Sequence, residues 1–149
     1  MIHLYTDGAC RGNPGKGGAA AVLIYGEHRK EISKGYKLTT NNRMEIMSVI
    51  LGLKEMKRFD IPVTIYSDSK YVCNPFNLEW MSKWIKKDFK DIKNVDLWRE
   101  LMDLLSEFKS VEFAWVKGHA SSVENNRCDV LAVDAALGKQ LIDDIGYKK

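Results

Sequence analysis

Hydrophobic and polar positions alternate from Ile2 to Asp7, a two-residue period rich in β-formers that predicts a strand. Gly8 to Gly18 supplies turn chemistry. The apolar run Ala19 to Tyr25, closed by Gly26, predicts a second strand in a hairpin with the first. A third run, Glu31 to Leu38, mixes charges with Ile32 and Tyr36 and suits an edge or half-exposed strand completing a meander. From Asn42 to Lys57 the period becomes helical. Ile46, Val49, Ile50 and Leu53 share one face and Met44, Met47 and Leu51 another, so this helix should be largely buried. After Asp60-Ile61-Pro62, the run Val63 to Tyr66 reads as a buried strand that delivers Asp68 at its end. Helical segments follow to about residue 108, the last marked by Leu97, Leu101, Leu104, Leu105 and Phe108. Val111 to Val116 predicts a fifth strand, leading through a Gly118-His119 loop to a final helix from about Val123 to Leu137. The order βββαβααβα predicts an α/β chain with one five-stranded mixed sheet flanked by helices. The tail from Asp143 to Lys149 is polar and is expected to fray.

At 149 residues and 45% hydrophobic, the chain can build a sizeable core without staples, and a single domain over residues 1–149 is expected. There is no internal repeat, linker or low-complexity segment. The 23 basic and 20 acidic residues leave a net charge of +3, too mild to identify a polyanion-binding protein without knowing how the charge is distributed. Cys10, Cys73 and Cys128 are odd in number and widely separated, which supports neither a disulfide framework nor a zinc site and suits a reducing compartment. The N-terminus lacks a basic n-region, and no stretch approaches the ~18 apolar residues of a membrane span. A cytoplasmic protein without a membrane partner is expected. Because no long exposed apolar segment demands a dimer, a monomer is expected too.

Four acids occupy suggestive places. Asp7 and Asp68 end strands, Glu45 lies in the first turn of the buried helix, and Asp129 lies in the first turns of the last helix. They could meet at one end of the sheet. Clustered carboxylates repel and are costly to desolvate, so such a set calls for compensating cations, and oxygen-only ligands favour hard ions such as Mg²⁺ or Mn²⁺. Two such ions about 3.5 to 4 Å apart can activate a water and stabilise the leaving oxygen of an in-line displacement at phosphorus. Each acid also has an ordinary reading. Asn42 and Glu45 fit a helix capping box, Asp129 can complement a helix dipole, and Asp7 or Asp68 can simply end a strand in a turn. Spacing alone leaves both readings open.

The run Tyr5-Thr6-Asp7-Gly8-Ala9-Cys10-Arg11-Gly12-Asn13-Pro14-Gly15-Lys16-Gly17-Gly18-Ala19 closely resembles the opening motif of type-1 ribonuclease H. Three further segments resemble that family in the same order. They are Thr39-Thr40-Asn41-Asn42-Arg43-Met44-Glu45, Tyr66-Ser67-Asp68-Ser69, and Trp115-Val116-Lys117-Gly118-His119-Ala120 with Asn125-Asn126-Arg127-Cys128-Asp129. Together they span nearly the whole chain. The resemblance implies the ribonuclease H fold, with Asp7, Glu45, Asp68 and Asp129 as metal-binding catalytic acids holding two ions. It further implies cleavage of RNA within an RNA/DNA hybrid, leaving 5′-phosphate and 3′-hydroxyl ends. His119 would then assist proton transfer or product release. Taken alone, an unperturbed imidazole near pKa 6.5 suits proton handling, although a lone His is usually a surface polar group. The Gly-rich turn lacks the spacing and Ser/Thr of a P-loop and is rejected as one.

Cleaving RNA but not DNA requires sensing the 2′-hydroxyl across a wide minor groove. The resemblance places Cys10, Gly12, Asn13, Asn41 and Asn42 near the strands, with Asn13 and Thr40 close to a DNA phosphate. Ordinary readings are an N-cap for Thr40 and turn formation for the asparagines. The segment from Trp80 to Lys90 is the clearest basic patch, in which Lys83, Lys86 and Lys87 could contact phosphates while Trp80 and Trp84 pack on sugars or bases. It resembles a shortened form of the family's basic protrusion; the alternative is an amphipathic helix with tryptophans inside and lysines in water. Trp98 and Trp115 read as core residues. Lys70 departs from the family, many members of which carry glutamine there, and reads either as a phosphate ligand or as an exposed residue. Soft thiolates suit Mg²⁺ poorly, so neither Cys10 nor Cys128 is assigned to the metal. A free-standing hybrid-specific endonuclease is expected, since the chain runs from the first strand to the last helix. The alternatives are a hybrid-binding module without activity, expected only if one of the acids were missing, and a DNA-directed nuclease of the same fold superfamily.

Overall fold

The computed structural model describes residues 1–117 and 122–148. Three long strands open the chain: β1 (Ile2–Arg11), β2 (Gly15–Tyr25) and β3 (His28–Thr39), paired antiparallel as a meander. Helix α1 (Asn41–Lys54) follows, then β4 (Val63–Ser67), α2 (Lys70–Asn77), α3 (Trp80–Lys86) and α4 (Val95–Leu105). β5 (Val111–Trp115), α5 (Val123–Leu137) and a two-residue β6 (Leu141–Ile142) complete the order. The strands form one mixed sheet in the order β5-β4-β1-β2-β3-β6, with β4 parallel to both β1 and β5.

The expected class holds, with three departures. A sixth strand, among the described residues, pairs parallel with β3 at Gly35 and Tyr36. Three helices rather than two separate β4 from β5, because the chain takes left-handed backbone at Glu79 and again at Asp88, Phe89, Asp91 and Asn94, which interrupts helical hydrogen bonding. Nor is the tail frayed: the Asp144 side chain is 2% exposed and is held by Arg43.

Helix α1 carries the core. Its face of Ile46, Val49, Ile50 and Leu53 packs with Leu4, Ile65, Val72, Trp98 and Leu101, while Met44 and Leu51 join a second cluster with Ala19 and Tyr36. Both expected faces are therefore buried. Trp98 is fully buried and meets Trp84 edge to face at 5.4 Å. Trp115 departs from expectation. On the outermost strand it is 43% exposed, and its indole N–H donates to the Asp68 carbonyl at 3.0 Å.

Candidate active site

The parallel pairing of β1 and β4 runs to Tyr5 opposite Tyr66. Asp7 and Asp68 each lie two residues further on, so adjacent parallel strands bring both acids to the same end of the sheet. The Thr6 hydroxyl donates to the Tyr66 carbonyl at 3.0 Å and pins that end. Helix α1 arrives against it at close range. An added Cβ at Gly8 would lie 2.5 Å from both the Glu45 nitrogen and the Met44 carbonyl carbon, so the helix's first turns reach β1 only because position 8 has no side chain.

The helix cap distinguishes the two readings of Glu45. Thr40 is the N-cap, its hydroxyl accepting from the Arg43 amide at 3.3 Å. The Glu45 carboxylate instead accepts from the Gly8 amide at 2.7 Å, and the same amide donates to Asp7 at 2.9 Å. Asp7, Glu45 and Asp68 each offer an oxygen within 4.8 Å of the others, and Asp7 and Glu45 are buried. Asp129, on α5, lies outside that tight group but lines the same cleft as Asp7, Asp68, Lys117 and Asn125. Packing of α5 depends on another close approach, for a Cβ at Gly18 would lie 1.9 Å from the Ala132 carbonyl oxygen.

Desolvation, then the charges of Asp68 and Asp129, push the Asp7 carboxyl up to about 8. Glu45 is raised well above the ordinary carboxyl range, again by burial first and then by Asp7 and Asp68. The Gly8 amide offsets only part of this. Among the described residues, the buried Asn125 Oδ1 has no hydrogen-bond partner. Converging carboxylates held against their own repulsion, beside an unsatisfied amide oxygen, fit a hard divalent cation; no soft ligand belongs to the group.

The other sequence-singled residues fall in three places. Asn13 and Thr40 line a cavity of about 540 Å³ with Asn42, and Asn13 accepts from the Asn41 amide at 3.2 Å. Gly12 turns the chain at φ 80°, while the half-buried Cys10 thiol points to the Gly12 carbonyl, with burial raising its pKa. Lys70 follows Asp68 by two residues at the start of α2, its ammonium 4.9 Å from the Trp115 ring centroid. On α3 and just after it, Trp80, Lys83, Lys86 and Lys87 are exposed while Trp84 is half-buried against Trp98, so the two tryptophans do not present one exposed face. His119 lies outside the described residues. Sequence reasoning gave no role to Arg43 or Asp144; Arg43's place inside the Thr39–Glu45 motif, two residues before Glu45, was the available signal, and the structure shows its charge to be 2% exposed.

A mixed sheet with acids gathered where β1 and β4 end defines a carboxylate-centred α/β protein of the kind that holds hard cations. The chain belongs to the RNase H family, whose sequence profile matches residues 1–137. It is 51% identical to a Ribonuclease H of Aeromonas salmonicida, covering 99% of this chain and 97% of that protein. It is 50% identical to a Ribonuclease H of Syntrophus aciditrophicus, covering 99% and 87%. Among solved structures, LC9-RNase H1, described as a type 1 RNase H with the type 2 active-site motif, superposes with a TM-score of 0.82 at 30% identity. That match covers 93% of this chain and 72% of the other.

Proposed function

We propose that this chain is an endonuclease that hydrolyses the RNA strand of RNA/DNA hybrids. The convergence of Asp7, Glu45 and Asp68 within 4.8 Å carries this reading, in a chain whose relatives are named Ribonuclease H over nearly their full length. In the reading, Asp7, Glu45, Asp68 and Asp129 hold two Mg²⁺ ions, or Mn²⁺, and act in a monomer. Bound there, the ions would supply Lewis acidity for activating water and stabilising the leaving oxygen of an in-line displacement.

The chain's own residues bind and orient the substrate. Gly8 fixes the orientation of two carboxylates at once through its amide. Asn125 and Lys117 line the acid cleft, where Lys117 supplies positive charge to a phosphodiester. Cys10, Gly12, Asn13, Asn41 and Asn42 meet the minor groove, where small polar and backbone groups can pair with a 2′-hydroxyl. Thr40 and Asn13 take a phosphate of the DNA strand. Lys70, held over Trp115 two residues after Asp68, faces the strand being cut, and the α3 region with Trp80, Lys83, Trp84, Lys86 and Lys87 extends the phosphate-binding surface. On its sequence motif, His119 is assigned to proton handling or product release. The products carry 5′-phosphate and 3′-hydroxyl ends.

The test is a substrate panel in Mg²⁺: a hybrid labelled on each strand in turn, single-stranded RNA, duplex RNA and duplex DNA. Cleavage confined to the RNA of the hybrid is expected. Cutting of the DNA strand would point to a DNA-directed nuclease, and binding without cutting to a hybrid-binding module.

A further inference from the structure

The C-terminal segment lies beyond the family match, which ends at residue 137, yet it is tied into the fold by a buried charge. Arg43, in the first turn of α1, is 2% exposed, as is the Asp144 side chain. Asp144 accepts from Arg43 Nε at 2.7 Å, from Arg43 Nη2 at 2.9 Å and from the Thr39 hydroxyl at 2.6 Å. The other side of the guanidinium donates twice to Asp96, at 2.9 and 2.7 Å, in the first turn of α4. Arg43 Nη1 also approaches Asn94 Oδ1 at 3.4 Å. Arg43 and Asp144 together thus join four segments: the end of β3, the start of α1, the start of α4 and the tail.

Those segments wall the cavity of about 540 Å³ that contains Asn13, Thr40 and Asn42. Lys93 comes from the approach to α4, and Tyr147 and Lys148 come from the tail. Two carboxylates occupy Arg43, so Lys93 and Lys148 provide the positive charge available to an anion, beside the amides of Asn13 and Asn42 and the hydroxyl of Thr40. The Asn13 and Thr40 walls are tied to each other, since Gly15 pairs with Thr39 and Asn13 accepts from the Asn41 amide, but no strand pairing ties the approach to α4 or the end of the tail to them. Their spacing depends on what crosslinks them. A charge-assisted network around a buried guanidinium, with Asp144 buried and Asp96 half-exposed, has the directionality to do so.

We propose that Asp144 is a positioning residue for hybrid binding. Through Arg43 and Thr39 it locks the C-terminal segment against the start of α1 and holds the cavity in the shape that takes one backbone phosphate of the substrate. The inference rests on the hybrid-nuclease reading. It implies that the tail supplies part of the substrate surface.

The experiment compares wild type, Asp144→Ala and the near-isosteric Asp144→Asn, each confirmed folded by circular dichroism at the assay temperature. Ile50→Val, a fully buried core substitution, is the control for stability alone. Equilibrium binding of a fluorescent hybrid is measured in EDTA, and KM and kcat in Mg²⁺. Loss of a positioned contact network should weaken hybrid binding and raise KM about tenfold, with kcat at saturation within about twofold. Ile50→Val should leave both affinity and KM unchanged. Unchanged affinity in a folded Asp144 variant, or an equal loss in Ile50→Val, overturns the assignment. If wild type itself fails to bind the hybrid, the functional reading falls and this inference with it; a wild type that binds while both Asp144 variants bind equally well sinks only the latch.

Discussion

Burial is the largest influence on the charge of Asp7 and Glu45, ahead of repulsion from the neighbouring acids. Asp7 titrates near 8 when folded, against about 3.8 when free, so between those values the native state holds more protons than the unfolded chain. Without divalent ions, stability should therefore fall as pH rises from 5 to 8, by up to about 1.4 kcal/mol per pH unit for each such proton. Asp7→Asn removes one charge and relieves Glu45, so its stability should be flatter over the same range and higher than wild type at pH 8. Urea denaturation in EDTA at several pH values tests this, and an unchanged slope in the variant contradicts it. Divalent-ion binding should release protons and tighten with pH for the same reason.

These acids were legible in the sequence because each sits inside a long contiguous motif. The pairing of Arg43 with Asp144 was not. The two are 101 positions apart, and a charged tail with no period carries no local signal of a buried partner. Trp115 misled for a related reason: an indole usually signals core, and nothing local reveals that its strand is outermost in the sheet with the Asp68 carbonyl in reach.

At the scale of elements, the contact between α1 and β1 sets the site. Gly8→Ala would drive a methyl into backbone atoms of residues 44 and 45 that cannot rotate away. A cost of about 1–3 kcal/mol is expected from overpacking. Because the displaced turn carries Glu45, activity should drop by on the order of a hundredfold, as sub-ångström misplacement of reacting groups commonly does. Thermal melts and kcat measured together check this; a variant with wild-type kcat would show that the helix can retreat without harm. Helix α1 was legible from the length and helical spacing of its apolar positions; with both faces apolar and buried, its amphipathic period is weak. The division of the stretch between β4 and β5 into three helices was hidden, since the breaks before α3 and α4 fall at left-handed Glu79 and Asn94 rather than at Gly or Pro.

At the scale of the molecule, sheet order does what no single motif can. Placing β4 beside β1 in parallel carries Asp68 to the side of Asp7 although the two are 61 positions apart in sequence, and α1 adds Glu45 from above the same strand end. The meander and the later helix and strand alternation were readable from periodicity, which gave the class. The two-residue β6 was not, being too short to show any period and formed only because β3 offers an edge at Gly35 and Tyr36.

The proposed role of this carboxylate cluster is to cut the RNA strand of a bound hybrid. It is tested most directly by single-turnover cleavage of a strand-labelled hybrid in Mg²⁺, wild type against Asp68→Asn, with hybrid affinity measured in parallel. Wild type should cut RNA alone, while Asp68→Asn should bind the hybrid comparably but lose activity on the order of a thousandfold, equivalent to several kcal/mol of transition-state stabilisation. Undiminished cleavage by the Asp68→Asn protein would contradict the account.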